Sequence, residues 1–207
     1  MASSLSVVGG FFTRALLWLI PALALWYWGA EWVVKPATWL AERAMLGLFP
    51  GWVLGVEALP GGEIDLLTNL RMPAEQGMVG ELSSTTRVLK FTHGIPFFVA
   101  LMLACRSRGL WWKLPLGLAV MVPFQAWGVC FEWLVDVAIM AGVQTQAQTG
   151  FGAWHANFFG IGAQLGYLIF PTLVPLMLWI AFEQGFVRTV VVDGALHELS
   201  RRDPRLG

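Results

Sequence analysis

The feature that most constrains this chain is a set of long segments that are apolar and almost free of charge. The longest covers residues 154–182 and contains no Asp, Glu, Lys or Arg. A helix needs roughly 20 apolar residues to cross a bilayer. Three further segments approach that length, at residues 15–30, 88–104 and 114–134. The sequence therefore predicts an all-α membrane protein with four transmembrane helices.

Composition agrees with this prediction. Hydrophobic residues make up 57% of the chain and charged residues 13%, and the mean hydropathy is +0.66. These values are too apolar for a soluble domain. The formal net charge is zero and no block of five like charges is present, so we expect no nucleic-acid partner. The partner that composition predicts is the lipid bilayer.

The second predicted span is the weakest of the four. The uncharged stretch 91–104 reaches even ~26 Å only by extending back to Val88 across Lys90. Two interpretations stay open at this point. The segment either crosses the membrane fully or enters and leaves it on the same side.

The distribution of positive charge predicts the orientation of the chain. Basic residues in short loops stay on the cytoplasmic side of a membrane. The loop 105–113 carries three basic residues and no acid, whereas residues 142–153 contain no Lys or Arg. Basic residues also flank the apolar region, at Arg14 before it and at Arg188, Arg201, Arg202 and Arg205 after it. We therefore expect a multi-pass protein with both termini in the cytoplasm.

This orientation divides the chain into five parts. We predict a cytoplasmic N-terminus at residues 1–14, a retained first transmembrane helix at 15–34, an extracytoplasmic segment at 35–87, a three-helix transmembrane core at 88–182 and a cytoplasmic tail at 183–207. Within the extracytoplasmic segment, "KPATWLAERAMLGLF" predicts a short amphipathic helix on the outer surface, with Trp39, Met45 and Leu48 on its apolar side. "WVLGVEALPGGEIDLLTNL" predicts a β-hairpin around Pro60. Such a short segment is expected to pack on the membrane part or on a partner.

Polar residues interrupt the third and fourth predicted spans at matching depths. Gln125, Glu132 and Asp136 fall within about 40° of one another around a helix. Counted at 1.5 Å per residue, Gln164 lies near mid-bilayer, as Gln125 does, while other polar groups lie near the outer interface. We predict two levels: a candidate polar site made of His93, Glu132, Asp136 and His155, and a deeper level in which Gln125 and Gln164 hold helices together.

Both levels also have a simpler explanation. Glu132 and Asp136 fit as ordinary residues of the headgroup region, and glutamine pairs join membrane helices at about 0.6 kcal/mol each. Gly162 and Gly166 form a G-x-x-x-G pattern, which predicts close packing between helices.

No cofactor is expected from the sequence. No H-x-x-x-H, H-E-x-x-H or cysteine-pair motif supports a metal site. Cys105 and Cys130 lie at different depths, which excludes a disulfide between them. Because Cys130 faces away from the polar residues, we predict that it is a buried small hydrophobe.

Three stretches carry a family resemblance: "FTHGIPFFVALMLA", "PFQAWGVCFEWLVDVAIMAG" and "LGYLIFPTLVPLMLWI". Through G-[IL]-P, Q-A-[FW]-G and L-G-x-L-[IL]-x-P-T-L-x-P elements, residues 89–180 resemble the exosortase H-associated membrane proteins of Gram-negative bacteria. The resemblance implies a location in the bacterial inner membrane. It also implies a setting beside a membrane-embedded sorting peptidase that processes tagged export cargo.

The resemblance leaves two functional hypotheses. Exosortase-type enzymes use a Cys, an Arg and a His on successive spans, and no arginine lies within the spans predicted here. The first hypothesis is thus a non-catalytic accessory that assists an exosortase-type peptidase or its exported cargo. The alternative is a small intramembrane enzyme or carrier that handles protons through Glu132, Asp136, His93 and His155.

Overall fold

The computed structural model describes residues 4–73 and 79–188. Its helices are α1 (Ser4–Trp28), α2 (Ala30–Leu48), α3 (Gly94–Ala104), α4 (Leu110–Val135), α5 (Gly142–Thr149), α6 (Ala153–Gln164) and α7 (Phe170–Phe182). Its strands are β1 (Val53–Leu59), β2 (Glu63–Pro73) and β3 (Val79–Arg87). Most of the predicted tail, with Arg201, Arg202 and Arg205, and the start of the predicted N-terminus lie outside the described residues.

Three helical segments of the described chain are long and apolar enough to cross a membrane, namely Gly9–Trp28, Leu110–Met140 and Ala153–Phe182. The second continues α4 through a π-helical turn, Asp136–Met140. The third joins α6 to α7 through another π-helical turn, Leu165–Ile169. The sequence predicts four spans, so the structure provides three of them by length and composition.

The second predicted span is shorter than the sequence suggests. A 3₁₀ turn occupies Val88–Phe91 and α3 begins only at Gly94, so the helix has 11 residues and a length of about 17 Å. Even so, α3 runs beside most of α1. Trp26 Nε1 donates to Thr92 Oγ1 at 3.0 Å near one end, and Leu101 and Ala104 pack against Phe11 near the other.

The helix α2 contains the predicted amphipathic segment but packs through a different face. Trp39 and Leu48, predicted on the apolar side, are 60% and 71% exposed. The buried residues repeat every three or four positions and are Val34, Ala37, Ala41 and Met45. Two alanines on this face let α2 approach α4 closely, and Cys130 Sγ lies 3.7 Å from the Ala41 carbonyl oxygen. The short side chains, rather than the large aromatic one, define the packed face.

The predicted hairpin is present and belongs to a three-stranded antiparallel sheet in the order β1-β2-β3. The turn Pro60–Gly62 joins β1 to β2, and Gly61 and Gly62 have φ values of 80° and 78°, a conformation that favours glycine. The strand β3 has the sequence VGELSSTTR and was not predicted from the sequence. Threonine is β-branched and fits a pleated strand, and Thr86 and Ser84 are buried.

One core joins the sheet to the membrane helices. Alternate residues of β2, including Ile64 and Leu66, are buried in the same cluster as Met45 of α2 and Val129 and Trp133 of α4. The alternation follows the two-residue period of a strand. The segment that holds α2 and the sheet is therefore packed on the other helices and shares their core. We call this end of the helical bundle the sheet end and the opposite end, with the loop 105–109, the far end.

Candidate functional site

The two carboxylates predicted as site residues both bind elements at the sheet end. Glu132 forms an ion pair with Lys90, which lies in the turn after β3. One helical turn later, Asp136 accepts a hydrogen bond from Ser84 Oγ of β3. The two carboxylates therefore attach the sheet and the following turn to the long apolar helix.

The two predicted histidines have different neighbours. His93 Nδ1 lies 2.7 Å from the backbone carbonyl oxygen of Lys90, so this ring contacts the main chain of the residue that pairs with Glu132. His155 Nδ1 accepts from the Gly152 N–H at 3.2 Å and caps the start of α6. Within the described residues, no hydrogen bond joins either ring to Glu132 or Asp136. The structure thus brings His93 and Glu132 next to Lys90 and gives His155 a capping role.

Lys90 is the functional residue that the sequence reasoning missed. Its side chain is 35% exposed and that of Glu132 is 23% exposed, so the pair is largely shielded from solvent. Ionisable groups at membrane depth generally pair with one another or face water. Two features of the sequence could have indicated this pair. Lys90 lies at the start of a short apolar segment, and Glu132 is predicted at a similar depth on another span.

A cleft of about 340 Å³ lies beside this ion pair. Its polar lining consists of Lys90, Glu132, Gln164 and Tyr167, and its apolar lining consists of Phe91, Val135, Ala163 and Leu168. The volume is in the range of small ligand pockets, which are mostly apolar with a few oriented polar groups. We call this space the ion-pair cleft.

The π-helical turn Leu165–Ile169 shapes one wall of the ion-pair cleft. It supplies Tyr167 and Leu168, which are 50% and 59% exposed. Single π-helical turns inside α-helices are frequent at functional sites. The turn also carries Gly166, where an added Cβ would lie 2.5 Å from the Gly128 Cα of α4. The two helices therefore meet backbone to backbone immediately beside the cleft.

Gly162 makes a second close contact between α6 and α4. A Cβ at this position would lie 1.9 Å from the Phe131 ring. Trp127, stacked on Phe131, donates from Nε1 to the Gly162 carbonyl oxygen at 3.1 Å. An indole N–H therefore links the two helices, a role that the sequence analysis predicts for glutamines.

The two glutamines occupy separate environments. Gln125 is 4% exposed, and its Nε2 has no hydrogen-bond partner. Gln164 is exposed and lines the ion-pair cleft. The predicted bond between them is not formed, because Gln164 faces the cleft while Gln125 is enclosed near Phe170 and Pro171. This separation corrects the idea of a joint Gln125–Gln164 level.

The cysteines form no bond with the site carboxylates Glu132 and Asp136 or with each other within the described residues. Both are free, as the sequence predicts, and Cys130 is buried, as expected. Cys105 follows α3 at the far end and accepts a hydrogen bond from Trp179 Nε1 at 3.1 Å. Burial raises the pKa of the Cys105 thiol, although the Trp179 hydrogen bond and the charge of Arg14 act in the opposite direction. A raised pKa disfavours the thiolate that nucleophilic chemistry requires.

Arg14 lies elsewhere than predicted, because the sequence analysis places it before the first membrane helix. The first apolar helix begins at Gly9, so Arg14 lies inside a candidate membrane segment rather than before it. It is half-buried at the far end, and its Nε has no hydrogen-bond partner.

Among the described residues, no three His, Cys, Asp or Glu side chains come together as a metal-binding group.

Comparison with known proteins agrees with the architecture. A family model described as exosortase H-associated membrane protein matches residues 5–186. The match extends beyond the resemblance at residues 89–180 and includes α1, α2 and the sheet. No curated protein and no solved structure matches the chain. Because the family model covers nearly the whole described chain, including all three apolar segments and the ion-pair cleft, the chain belongs to the exosortase H-associated membrane proteins.

Proposed function

We propose that this protein is a non-catalytic accessory of a protein sorting or export system in the bacterial inner membrane. It assists an exosortase-type peptidase or that enzyme's cargo by binding a membrane segment at the ion-pair cleft. The family description, which names an association with exosortase H, supports this setting. The observation that carries the proposal is the Lys90–Glu132 ion pair at the edge of an open, mostly apolar cleft.

The shape and chemistry of the cleft support binding to another helix. Leu168, which lines the cleft, is 59% exposed, and Ile161 on α6, one helical turn before the lining residue Gln164, is 60% exposed. Such a surface, in lipid, can contact either acyl chains or a partner helix. Polar groups at the same place strengthen helix association, because a buried polar group in lipid gains from a partner. Gln164 and Tyr167 provide such groups within the cleft.

The state of the reactive side chains supports a binding role over catalysis. Asp136 accepts a hydrogen bond from Ser84, and the His155 ring caps α6. Cys130 is buried against the backbone of α2. Asp136 and Cys130 thus each contact a second element of the fold, and His155 caps its own helix. General acid–base catalysis requires a titratable group within reach of a substrate. In the ion-pair cleft the titratable groups are Glu132, its partner Lys90 and Tyr167.

A four-span topology with both termini in the cytoplasm is part of the proposal. It is supported by the grouping of basic residues at the far end, where Arg106 and Arg108 follow α3 and Lys113 begins α4. Lys113 Nζ pairs with Glu183 at 2.6 Å, and both side chains are 12% exposed. This pair ties the start of α4 to the end of α7. In this topology α3 is a short span that crosses beside α1.

The proposal is tested by co-purification. The tagged full chain is expressed together with the exosortase-type enzyme of the same bacterium and extracted in mild detergent. We expect the enzyme or its cargo to co-purify, and Glu132→Gln to lower recovery about fivefold or more, a change of about 1 kcal/mol. Glu183→Gln is the matched control, because it removes a carboxylate from the ion pair at the far end. Full recovery with Glu132→Gln at normal expression would refute the cleft as the binding site.

One observation favours the intramembrane carrier or enzyme as a second candidate. Glu132 lines an open cleft rather than a sealed core. This candidate predicts proton-coupled transport or turnover by the purified protein in vesicles, abolished by Glu132→Gln. Co-purification of a partner without any such activity would favour the accessory role.

A further inference from the structure

A second surface, remote in sequence from the ion-pair cleft, is a groove between α2 and the first two strands. Its volume is about 470 Å³. One wall is α2, from Glu31 to Glu42, and the other is formed by β1 and the first residues of β2, with none from β3. The groove therefore follows the β1 side of the sheet. We call it the strand groove.

The strand β1 forms a free edge beside this groove. It pairs with β2 on one side, from Gly55 to Leu59 in regular antiparallel register, and has no strand partner on the other side within the described residues. An unpaired edge presents a row of N–H and C=O groups that can accept another strand. Proteins usually block such edges with Lys, Pro, bulges or a covering element.

The edge of β1 lacks most of these protective features where the groove lies. The segment Val53–Leu59 contains no Lys and no Pro, and its one charged residue is Glu57. Its one register irregularity lies between Val53 and Gly55, before the groove-lining Val56 and Ala58. Leu54 on this strand is 58% exposed. An open edge next to a helix-lined groove is the arrangement by which proteins add a peptide as an extra strand.

The charges of the strand groove indicate which peptides it accepts. Glu63 pairs with Arg87 at 2.7 Å, and the groove's lysine, Lys35, lies over the ring of Trp32 at 3.8 Å. Glu31 and Glu42 have no ion-pair partner among the described residues. The α2 wall of the groove therefore carries two unpaired carboxylates against one lysine, an excess of negative charge. They are 11 positions apart, or about 16 Å along the helix, a distance that about five residues of an extended strand span.

We propose that the strand groove binds an extended, positively charged peptide segment, which pairs with the free edge of β1 and places basic side chains near Glu31 and Glu42. In the proposed topology this surface is extracytoplasmic, so the occupant is a segment of an exported or periplasmic protein. The strand groove and the ion-pair cleft share no lining residue. Its test requires neither the exosortase-type enzyme nor the cleft to function.

The test uses the full chain in nanodiscs of zwitterionic phospholipid, so that a cationic peptide does not bind the lipid. The probe is a fluorescent heptapeptide of alternating valine and arginine, followed by anisotropy. We expect saturable binding that weakens as salt is added. The same peptide with alternate backbone nitrogens methylated should not bind, because it cannot form the strand hydrogen bonds. A valine–glutamate heptapeptide should not bind either.

Matched variants test the role of the carboxylates. The double variant Glu31→Gln, Glu42→Gln should lower affinity about tenfold at low salt, as two exposed charge pairs imply. The control double variant Asp65→Asn, Glu81→Gln removes the same charge from β2 and β3, outside the groove, and should change affinity less than about twofold. Thermal unfolding of each variant confirms that the fold is retained.

Several outcomes would overturn the proposal. Equal binding of the methylated peptide would exclude strand pairing, and equal binding of the acidic peptide would exclude the charge argument. Unchanged affinity in the Glu31→Gln, Glu42→Gln variant would exclude the groove. Disulfide cross-linking between two copies of a Leu54→Cys variant, with no peptide binding, would show that a second copy occupies the edge.

Discussion

The contact between Gly166 and Gly128 gives the sharpest prediction about the fold around the ion-pair cleft. In Gly166→Ala the new Cβ would lie 2.5 Å from the Gly128 Cα and 3.2 Å from its backbone nitrogen. Carbon atoms in favourable contact are about 3.5 Å apart or more, so α4 and the π-helical turn must separate by about 1 Å. Both obstructing atoms belong to the backbone, and no side-chain rotation relieves the clash.

The expected loss of stability is about 1–3 kcal/mol, the usual range for overpacking. The matched control is Gly160→Ala on the same helical segment, where a Cβ would meet nothing within 4 Å. Alanine has a higher intrinsic helix propensity than glycine by about 1 kcal/mol, so the control should be neutral or stabilising. Reversible unfolding of the full chain in mixed micelles measures both. Equal stability of the two variants would refute the backbone contact beside the cleft.

Three further predictions concern the same helices and their orientation. Trp127→Phe keeps a stacked ring but removes the N–H that donates to the Gly162 carbonyl oxygen. It should lower the unfolding free energy by about 0.6–1.7 kcal/mol. The control Trp111→Phe, at an 83% exposed position, should not change the unfolding free energy. Gln125→Leu removes a buried amide nitrogen that has no hydrogen-bond partner, so the unfolding free energy should be unchanged or higher by about 1 kcal/mol. A loss of about 1 kcal/mol would show that the Gln125 amide nitrogen has a partner. A periplasm-dependent reporter fused after Gly80 should be active, and one fused after Arg108 inactive. The opposite pattern would refute the topology.

The sequence predicts well the features that depend on one segment at a time. Apolar length identifies the three long membrane segments, and Pro60, Gly61 and Gly62 mark the turn of the hairpin. Each of these signals is local, because backbone preference and hydrophobic length act within the segment itself.

Features that depend on how elements rotate against one another are predicted poorly. Matching depths place Gln125 level with Gln164, but depth does not determine which way each side chain points around its helix. The same limit applies to α2, whose two apolar faces both fit a helical period. The face with Ala37 and Ala41 is buried because small residues allow close approach to α4, while Trp39 stays exposed.

The ion pair of the candidate site shows a related limit. The sequence identifies Glu132 as an ionisable residue in an apolar segment, which by general rules needs a partner. Its partner, Lys90, lies 42 positions earlier in the turn after β3. Predicting that pairing requires the position of β3, whose Ser- and Thr-rich sequence resembles a loop.

The central claim, that the ion-pair cleft binds a membrane partner, is tested most directly by site-specific photo-cross-linking in the native membrane. A photoreactive amino acid at Leu168, which lines the cleft, should cross-link to the exosortase-type enzyme or its cargo. The same residue at Leu23, which is exposed on α1, should cross-link only to lipid. The Leu168 cross-link should weaken when Glu132→Gln is added. Protein cross-links of equal yield from Leu168 and Leu23 would contradict a specific binding site at the cleft. An equal yield from Leu168 with Glu132 and with Glu132→Gln would contradict the role of the ion pair.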